Sequence, residues 1–203
     1  MIFFKELLNA PDFSAAVDEL ARGFRDSYSL PPIHQLGIVV GDVEQAAYDL
    51  EAQGMKPFFI AEGSPVSWHE RSVPGSFSGK MGIAYHQGYE VELLEAGTGS
   101  DFYRNYIPPE QEMVVQHLGF VVEDVDAWSA KLSAEGHPLW IRGKLRAGPA
   151  TTDFAYMDTV DHAGIIIEFI CWRFLGIMLT PPPGIFHTIG RIEKWTGRRC
   201  ISV

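Results

Sequence analysis

The chain is poor in cysteine and in basic residues. Its 203 residues include two cysteines, Cys171 and Cys200. Two are too few for a disulfide framework, which predicts a reduced, cytoplasmic protein. Lysine and arginine total 16 against 26 acidic residues, and the formal net charge is −10. Because nucleic-acid-binding proteins usually carry a basic surface, this charge argues against nucleic acid as a partner.

Long hydrophobic runs are also lacking. The longest, residues 163–170, is interrupted by Glu168, and residues 1–13 are apolar only briefly and contain Lys5 and Glu6. A membrane-spanning helix needs about 20 apolar residues, so the sequence predicts no membrane span. It also predicts no signal peptide. The 46% share of hydrophobic residues is typical of a soluble protein with one core, or with two small modules that share one.

What the sequence does contain is an internal repeat. Residues 36–54 read LGIVVGDVEQAAYDLEAQG, and residues 118–136 read LGFVVEDVDAWSAKLSAEG. Nine of the nineteen aligned positions are identical, without a gap, at an offset of 82 residues. That offset is too long for a solenoid repeat and indicates two copies of one supersecondary module. Two such modules that face each other can enclose a site.

The pattern predicts an α+β fold in which two tandem βαβββ modules form a shared cleft, with an N-terminal helix and a C-terminal extension. The five parts are a leader (1–31), a first module (32–97), a linker (98–113), a second module (114–172) and an extension (173–203). The predicted helices are 12–26, 43–53 and 125–135. The predicted strands are 33–40, 56–60, 81–86, 89–95, 114–122, 139–142, 154–158 and 164–171, and the longer loops are 61–80 and 143–153.

The last strand of the second module carries the first chemical signal. Side chains alternate between the two faces of a strand, so Glu168 shares a face with Ile166 and Ile170. A carboxylate buried in such a run is unfavourable by several kcal/mol unless a cation or strong hydrogen bonds satisfy it. The equivalent strand of the first module offers Glu92 at the matching position. The opening strands match Gln35 with His117.

Four equivalent strands therefore carry four metal-competent residues: Gln35, Glu92, His117 and Glu168. Two carboxylates, an imidazole and an amide oxygen suit a divalent ion such as zinc, nickel, manganese or iron. Waters would fill the open positions of a catalytic site.

Other interpretations of these residues stay open. A single strand histidine such as His117 is more often a hydrogen-bonded core residue than a ligand. Glu92 lies between Glu90 and Glu95, as on a solvated edge strand. His34 points away from Gln35 in a regular strand, but a β-bulge would exchange the two and make His34 the alternate ligand.

These motifs resemble a known family. Paired modules that open with (H/Q)-x-G-hydrophobic-x-V-x-D and close with a G-x-x-x-E-hydrophobic strand are similar to the vicinal oxygen chelate superfamily. That group includes glyoxalase I, methylmalonyl-CoA epimerase, extradiol dioxygenases and bleomycin-resistance-type binding proteins. The resemblance covers about residues 33–172. The segments QLGIVVGDVEQA, YEVELLEAG, HLGFVVEDVDA and GIIIEFI are most similar to the glyoxalase/epimerase branch.

The resemblance implies metal ligands at Gln35, Glu92, His117 and Glu168. Epimerases generally have histidine at the first of these positions, whereas some zinc-type glyoxalases have glutamine there, so Gln35 leaves that choice open. Extradiol dioxygenases use two histidines and one glutamate on iron, and that chemistry would require His34.

The implied activity is that of a divalent-metal-dependent lyase or isomerase, which removes a proton next to a metal-chelated carbonyl of a small-molecule substrate. Glu168 is then both ligand and base, and Glu92 is a second base or a fixed ligand. The alternatives are a non-catalytic binding protein of the resistance type and a non-haem iron dioxygenase. Both modules lie in one chain, so a monomer can complete the site, and a homodimer is left open.

The residues expected at the pocket rim lie in three segments, 68–71, 102–106 and 142–146. Arg71, Arg142, Lys144 and Arg146 are candidates to hold a carboxylate or the phosphate of a thioester. Each has a competing explanation as a solvated surface residue.

Overall fold

Two copies of one four-stranded motif lie side by side at the centre of a single sheet. The computed structural model describes residues 1–107 and 112–202 of the chain. The strands are β1 (Ile2–Phe3), β2 (Gln35–Val39), β3 (Phe59–Gly63), β4 (Ser67–Glu70), β5 (Val73–Pro74), β6 (Gly79–His86), β7 (Tyr89–Leu94), β8 (Val114–Val121), β9 (Leu139–Ala147), β10 (Ala150–Met157), β11 (Ile166–Phe174), β12 (Ile177–Met178) and β13 (Ile201–Ser202). Seven helices accompany them within those residues: α1 (Phe4–Leu8), α2 (Phe13–Glu19), α3 (Arg22–Tyr28), α4 (Val43–Ala52), α5 (Val125–Ala134), α6 (Val160–Ala163) and α7 (Pro183–Thr196).

The sheet order shows how the two modules meet. It runs β13-β3-β6-β7-β2-β8-β11-β10-β9-β4-β5, with β1 beside β8 and β12 beside β11. In the first module β2 is parallel to β7, and in the second β8 is parallel to β11. The two opening strands, β2 and β8, pair antiparallel and join the halves. The predicted α+β fold with two βαβββ modules is confirmed.

The repeated Asp and Gly of the sequence mark the two ends of the module helices. Asp42 and Asp124 are the N-caps of α4 and α5, and each side chain accepts the backbone N–H three residues on at 2.9 Å. Such caps satisfy donors that the first helical turn leaves unpaired. Gly54 and Gly136 follow the helices with φ of 101° and 91°, a conformation that favours glycine.

The two faces of the sheet have different roles. Leu36, Val91 and their counterparts Leu118 and Ile167 pack with the helices in the larger core. The opposite, concave face carries a smaller, aromatic-rich cluster that includes Trp68, Phe77 and Tyr156. Alternation along the strands therefore separates a structural face from a face that lines a cavity.

Some local predictions were wrong. The helix expected at 12–26 is two helices, α2 and α3, because Ala21 between them adopts a left-handed backbone with φ of 50°. The strand expected at 56–60 begins three residues later, as β3 (Phe59–Gly63). The expected loop 61–80 contains β4 and β5, and most of the expected loop 143–153 continues β9 and β10 as a hairpin. The local sequence does not predict β4, because this strand pairs with β9 of the other module.

The C-terminal residues form a helix and a strand that cover the first module. β13 adds to β3 in parallel, and α7 packs across β3 and β6. Glu193 of α7 is buried and accepts the backbone N–H of Ile60 at 3.0 Å. Gly190 lies so close to Phe58 that an added Cβ would be 2.4 Å from its carbonyl oxygen. The extension is therefore an integrated layer of the fold.

The five-part division of the chain stays a prediction. Residues 108–111 of the predicted linker, and Val203 of the predicted extension, lie outside the described residues. Across the described ranges, 1–107 and 112–202, no helix has the length and apolar character needed to cross a membrane.

We expect Glu51→Ala to loosen the C-terminal layer. The nearly buried Glu51 carboxylate accepts the Phe58 N–H at 3.0 Å and pairs with Lys194 at 2.9 Å. Loss of these bonds should lower the free energy of unfolding by about 2 kcal/mol and speed tryptic cleavage in α7. Urea denaturation and limited proteolysis measure both. The control Glu44→Ala removes a single, partly exposed pair with Lys80 and should change stability by about 0.5 kcal/mol. Equal effects of the two substitutions would contradict the role assigned to Glu51.

Candidate metal centre

Three of the predicted residues come together on strands near the middle of the sheet. Glu92 on β7, His117 on β8 and Glu168 on β11 are 7%, 0% and 4% exposed. His117 Nε2 lies 3.5 Å from Glu92 Oε2 and 3.2 Å from Glu168 Oε2. One potential ligand atom from each residue lies within 4.8 Å of the others. A buried group of this kind has the donor types and the spacing of a divalent-metal site.

Two glycines make this convergence geometrically feasible. Gly37 of β2 pairs with both Glu92 and His117, on the strands at either side. The imidazole lies directly over Gly37, where an added Cβ would be 1.8 Å from the ring. His117 can therefore reach across β2 to the carboxylate on β7 only because position 37 has no side chain.

The other half repeats the arrangement. Gly119 of β8 pairs with Gln35 and with Glu168. A Cβ added at Gly119 would be 2.5 Å from Gln35 Oε1. Gln35 Oε1 thus lies over Gly119, as the His117 ring lies over Gly37. The glycine of each repeated Leu-Gly pair, Gly37 or Gly119, therefore leaves room for the side chain of a ligand candidate on the neighbouring strand.

The amide of Gln35 has a defined orientation. Its Nε2 donates to Glu90 Oε1 at 2.9 Å, and Glu90 Oε2 accepts the hydroxyl of Tyr85 at 2.5 Å. Because a carboxylate only accepts hydrogen bonds, the amide must turn its NH₂ toward Glu90. Gln35 Oε1 is left buried, with no hydrogen-bond partner in the described part of the chain.

His117 is oriented in a similar way. Its Nδ1 lies 2.8 Å from Oε1 of the Gln116 side-chain amide, and this contact orients the ring. Nε2 is then the atom that faces the two carboxylates. Within residues 1–107 and 112–202, His117 Nε2 and Glu168 Oε2 make no aligned hydrogen bond, despite their short separation. Gln35 Oε1 and Gln116 Nε2 are also buried and have no hydrogen-bond partner in the same described residues.

Burial and neighbouring charges shift the pKa values of Glu92 and His117. Burial raises the pKa of Glu92 to about 7, and repulsion from Glu168 adds to the rise while His117 opposes it. Burial alone would lower the pKa of His117, but the negative charges of Glu168 and Glu92 close to its Nε2 outweigh burial and raise that pKa to about 9. The group therefore favours an added positive charge, as a proton or as a metal ion.

His34, the alternate ligand, lies elsewhere. Its Nε2 is 3.8 Å from Glu90 Oε2, and its ring is 5.1 Å from the ring of Trp172. It is not part of the group formed by Glu92, His117 and Glu168.

A cavity of about 470 Å³ opens onto the cluster. Gln35, Glu92 and Glu168 lie in its wall, which strands of both modules form together. The shared cleft predicted from the repeat is thus present. Tyr103 and Tyr156 also line it, with their buried hydroxyl oxygens 3.0 Å apart.

Most of the cations expected at the rim have partners within the protein. Arg71 pairs with Asp158 at 2.8 Å, and Lys144 pairs with Asp153 at 3.2 Å. Arg142 pairs with Asp126 at 2.8 Å and with Asp153 at 3.3 Å. Of the four expected cations, Arg146 alone lines the cavity.

Two polar residues of the site were not predicted. Glu90 is 1% exposed on an interior strand, so the solvated-edge interpretation of this segment is wrong. Alternation alone would have placed Glu90 on the face of Glu92, two residues away. Tyr156 pairs in register with Glu168 across β10 and β11, a relation that needs the strand pairing.

The comparison with protein families agrees with this geometry. The profile of the Glyoxalase/Bleomycin resistance protein/Dioxygenase superfamily matches residues 34–156, more than half of the chain. The protein belongs to this superfamily. The predicted resemblance to vicinal oxygen chelate proteins is confirmed. The matched region includes Gln35, Glu92 and His117 and ends before Glu168 and the C-terminal layer.

Solved structures give weaker likenesses. Methylmalonyl-CoA epimerase from Streptomyces coelicolor, a variant in complex with 2-nitronate-propionyl-CoA, is 19% identical with a TM-score of 0.46, covering 70% of this chain and 96% of its own. The epimerase from Mycobacterium tuberculosis is 16% identical with a TM-score of 0.45, covering 71% and 93%. A variant of 4-hydroxymandelate synthase from S. coelicolor is 12% identical with a TM-score of 0.45, covering 82% of this chain and 56% of the synthase. Likenesses this distant carry no argument about the reaction. Comparison with curated proteins gives no significant match.

We expect Gly37→Ala to disrupt the cluster. The new Cβ would occupy the place of the His117 ring, so either the ring or strand β2 must move. The free energy of unfolding should fall by about 2 kcal/mol or more, with loss of the native His117 environment in NMR spectra. In the control Gly41→Ala, the added Cβ meets no atom within 4 Å. A Gly37→Ala protein as stable as this control would contradict the described packing.

Proposed function

We propose that the protein is a divalent-metal-dependent lyase or isomerase, which removes a proton next to the carbonyl of a chelating small-molecule substrate. The observation that carries the proposal is the convergence of Glu92, His117 and Glu168 beside a cavity. Gln35 Oε1 lies in the wall of the same cavity and has no hydrogen-bond partner among residues 1–107 and 112–202. The superfamily of the chain supports metal-dependent chemistry, and the particular reaction is our inference.

The donor set fits a divalent ion. Glu92 and Glu168 bring two negative charges, His117 presents Nε2, and Gln35 presents a buried oxygen. These oxygen and nitrogen donors suit zinc, nickel, manganese or iron. When bound, such an ion would act as a Lewis acid on the oxygen atoms of the substrate.

The chain's own groups would handle the proton. We assign Glu168 as ligand and base, and Glu92 as second base or fixed ligand, so that a proton taken from carbon could be returned from the same or the opposite side. The hydroxyls of Tyr103 and Tyr156 share one hydrogen bond, which leaves one hydroxyl proton for a substrate oxygen. A buried donor that faces developing negative charge is more effective than the same donor in water.

Metal content is the first test. Purified, reconstituted protein should contain about one divalent ion per chain by plasma mass spectrometry, and Glu168→Gln/His117→Ala should contain none. The matched control Glu135→Gln/His162→Ala changes the same residue types at exposed positions and should keep the ion. A wild-type protein that takes up no ion would disprove the proposed site.

Proton abstraction is the second test. With 2-hydroxyacetophenone in D₂O, the metal-loaded protein should accelerate exchange of the hydrogens between carbonyl and hydroxyl, followed by NMR. Loss of the base in Glu168→Gln should slow exchange about a hundredfold or more. Stoichiometric metal and tight ligand binding without any exchange would instead favour the resistance-type binding protein.

Glu90 should act as a positioning residue for Gln35. Glu90→Ala frees the amide to rotate, so we expect affinity for the ion to fall about tenfold or more, measured by competition with a fluorescent chelator. Glu90→Gln keeps a carbonyl that accepts the Gln35 N–H and should retain most of the affinity. The control Glu62→Ala changes an exposed residue of β3. Wild-type affinity in Glu90→Ala would show that Gln35 needs no such support.

A further inference from the structure

The C-terminal layer, outside the matched family region, forms one wall of the cavity. Leu179, Ile185, Phe186 and Ile189 line it from the tail and from α7. α7 is held in place by the buried Glu193, which bonds to the backbone of β3. This wall is therefore a fixed part of the cavity, and it is built from side chains without charge.

The remaining walls are also largely apolar. Trp68 and Phe77 stack with ring centroids 5.1 Å apart, and Phe154 lies 6.1 Å from Trp68. All three line the cavity. Outside the metal cluster and its neighbour Glu90, this part of the cavity offers a ligand hydrophobic contact area and few groups that fix a charge.

Three cations line the cavity within residues 1–107 and 112–202, and one of them, Lys80, is paired with a carboxylate. Lys80 pairs with Glu44 at 2.8 Å, and Arg173 donates to the carbonyl oxygen of Glu123 at 2.9 Å. Arg146 is the remaining lining cation among the described residues. A phosphorylated carrier with several negative charges would meet three buried carboxylates and a protein of net charge −10. Such a carrier is poorly matched to this cavity.

We propose that the substrate is an uncharged alkyl or aryl compound with a vicinal-oxygen head group, and that α7 sets the length of the apolar part it accepts. The head-group assignment rests on the proposed function, whereas the apolar part rests on the cavity walls alone. The cavity volume of about 470 Å³ is in the range of small-molecule sites, which are mostly apolar with a few placed polar groups.

Two series of probes separate the two halves of this inference. Straight-chain hydroxamic acids, from acetohydroxamate to decanohydroxamate, chelate metals through two neighbouring oxygens. Primary amides of the same chain lengths have little affinity for metals. Calorimetric titration of the metal-loaded protein should show affinity that rises about threefold for each methylene buried, until the cavity is filled. The amides should show the same trend from a weaker starting affinity, and coenzyme A should bind no better than acetamide.

Variants of α7 test its role as the wall. Ile189→Trp should shorten the chain at which affinity stops rising, and Phe186→Ala should lengthen it. A general loss of stability would not shorten this limiting chain length in one variant and lengthen it in the other. The matched control Ile192→Trp adds the same bulk one turn away at a 53% exposed position and should leave the profile unchanged.

The outcomes distinguish this inference from the proposed function. Affinity independent of chain length, strong binding of coenzyme A, or identical profiles for Ile189→Trp and Ile192→Trp would overturn the inference even if metal binds. A chain-length trend in the amides, with no gain for hydroxamates when metal is added, would overturn the proposed function and leave the apolar specificity standing.

Discussion

Burial of negative charge is the constraint on which the site depends. Glu90, Glu92 and Glu168 are all removed from water on one face of a hydrophobic sheet, and isolated carboxylates there would be strongly unfavourable. Glu90 is satisfied by the amide of Gln35 and the hydroxyl of Tyr85. Glu92 and Glu168 share a single imidazole, which leaves an excess of negative charge. This imbalance is the physical reason to expect a cation at the place where both modules meet.

The two modules share one fold but use different partners to orient their candidate metal ligands, Gln35 and His117. In the second module Ile166 occupies the register position that Glu90 occupies in the first. An amide can turn either its oxygen or its NH₂ group toward the site. The carboxylate of Glu90 accepts from the NH₂ of Gln35 and so fixes which end faces the site. An imidazole needs a partner on one nitrogen, and a neighbour on its own strand, Gln116, provides it. The two modules thus have the same backbone arrangement, but the residues that orient the candidate ligands differ between them.

The parts of the molecule that could be predicted are those encoded by local periodicity. The two-residue period placed Glu168 beside Ile166 and Ile170, and the gapless repeat matched Gln35 with His117. The equivalent closing strands of the two modules matched Glu92 with Glu168. The same two-residue period places Glu90 on the face of Glu92, whereas the acidic residues around it favour the incorrect interpretation as an edge strand. The pairing of β4 with β9 and the position of Phe186 could not be predicted, since both depend on contacts between residues far apart in sequence.

The termination of the sheet limits how two copies of the chain could associate. An unpaired strand edge exposes N–H and C=O groups that can template pairing with another molecule. Here β13 lies along β3 at one end of the sheet, and at the other end β5 is two residues long and contains Pro74, which has no N–H to donate. As residues 1–107 and 112–202 form it, neither end of the sheet offers a long open ladder. These ends favour association of two copies through side-chain surfaces over extension of the sheet from one molecule to the next.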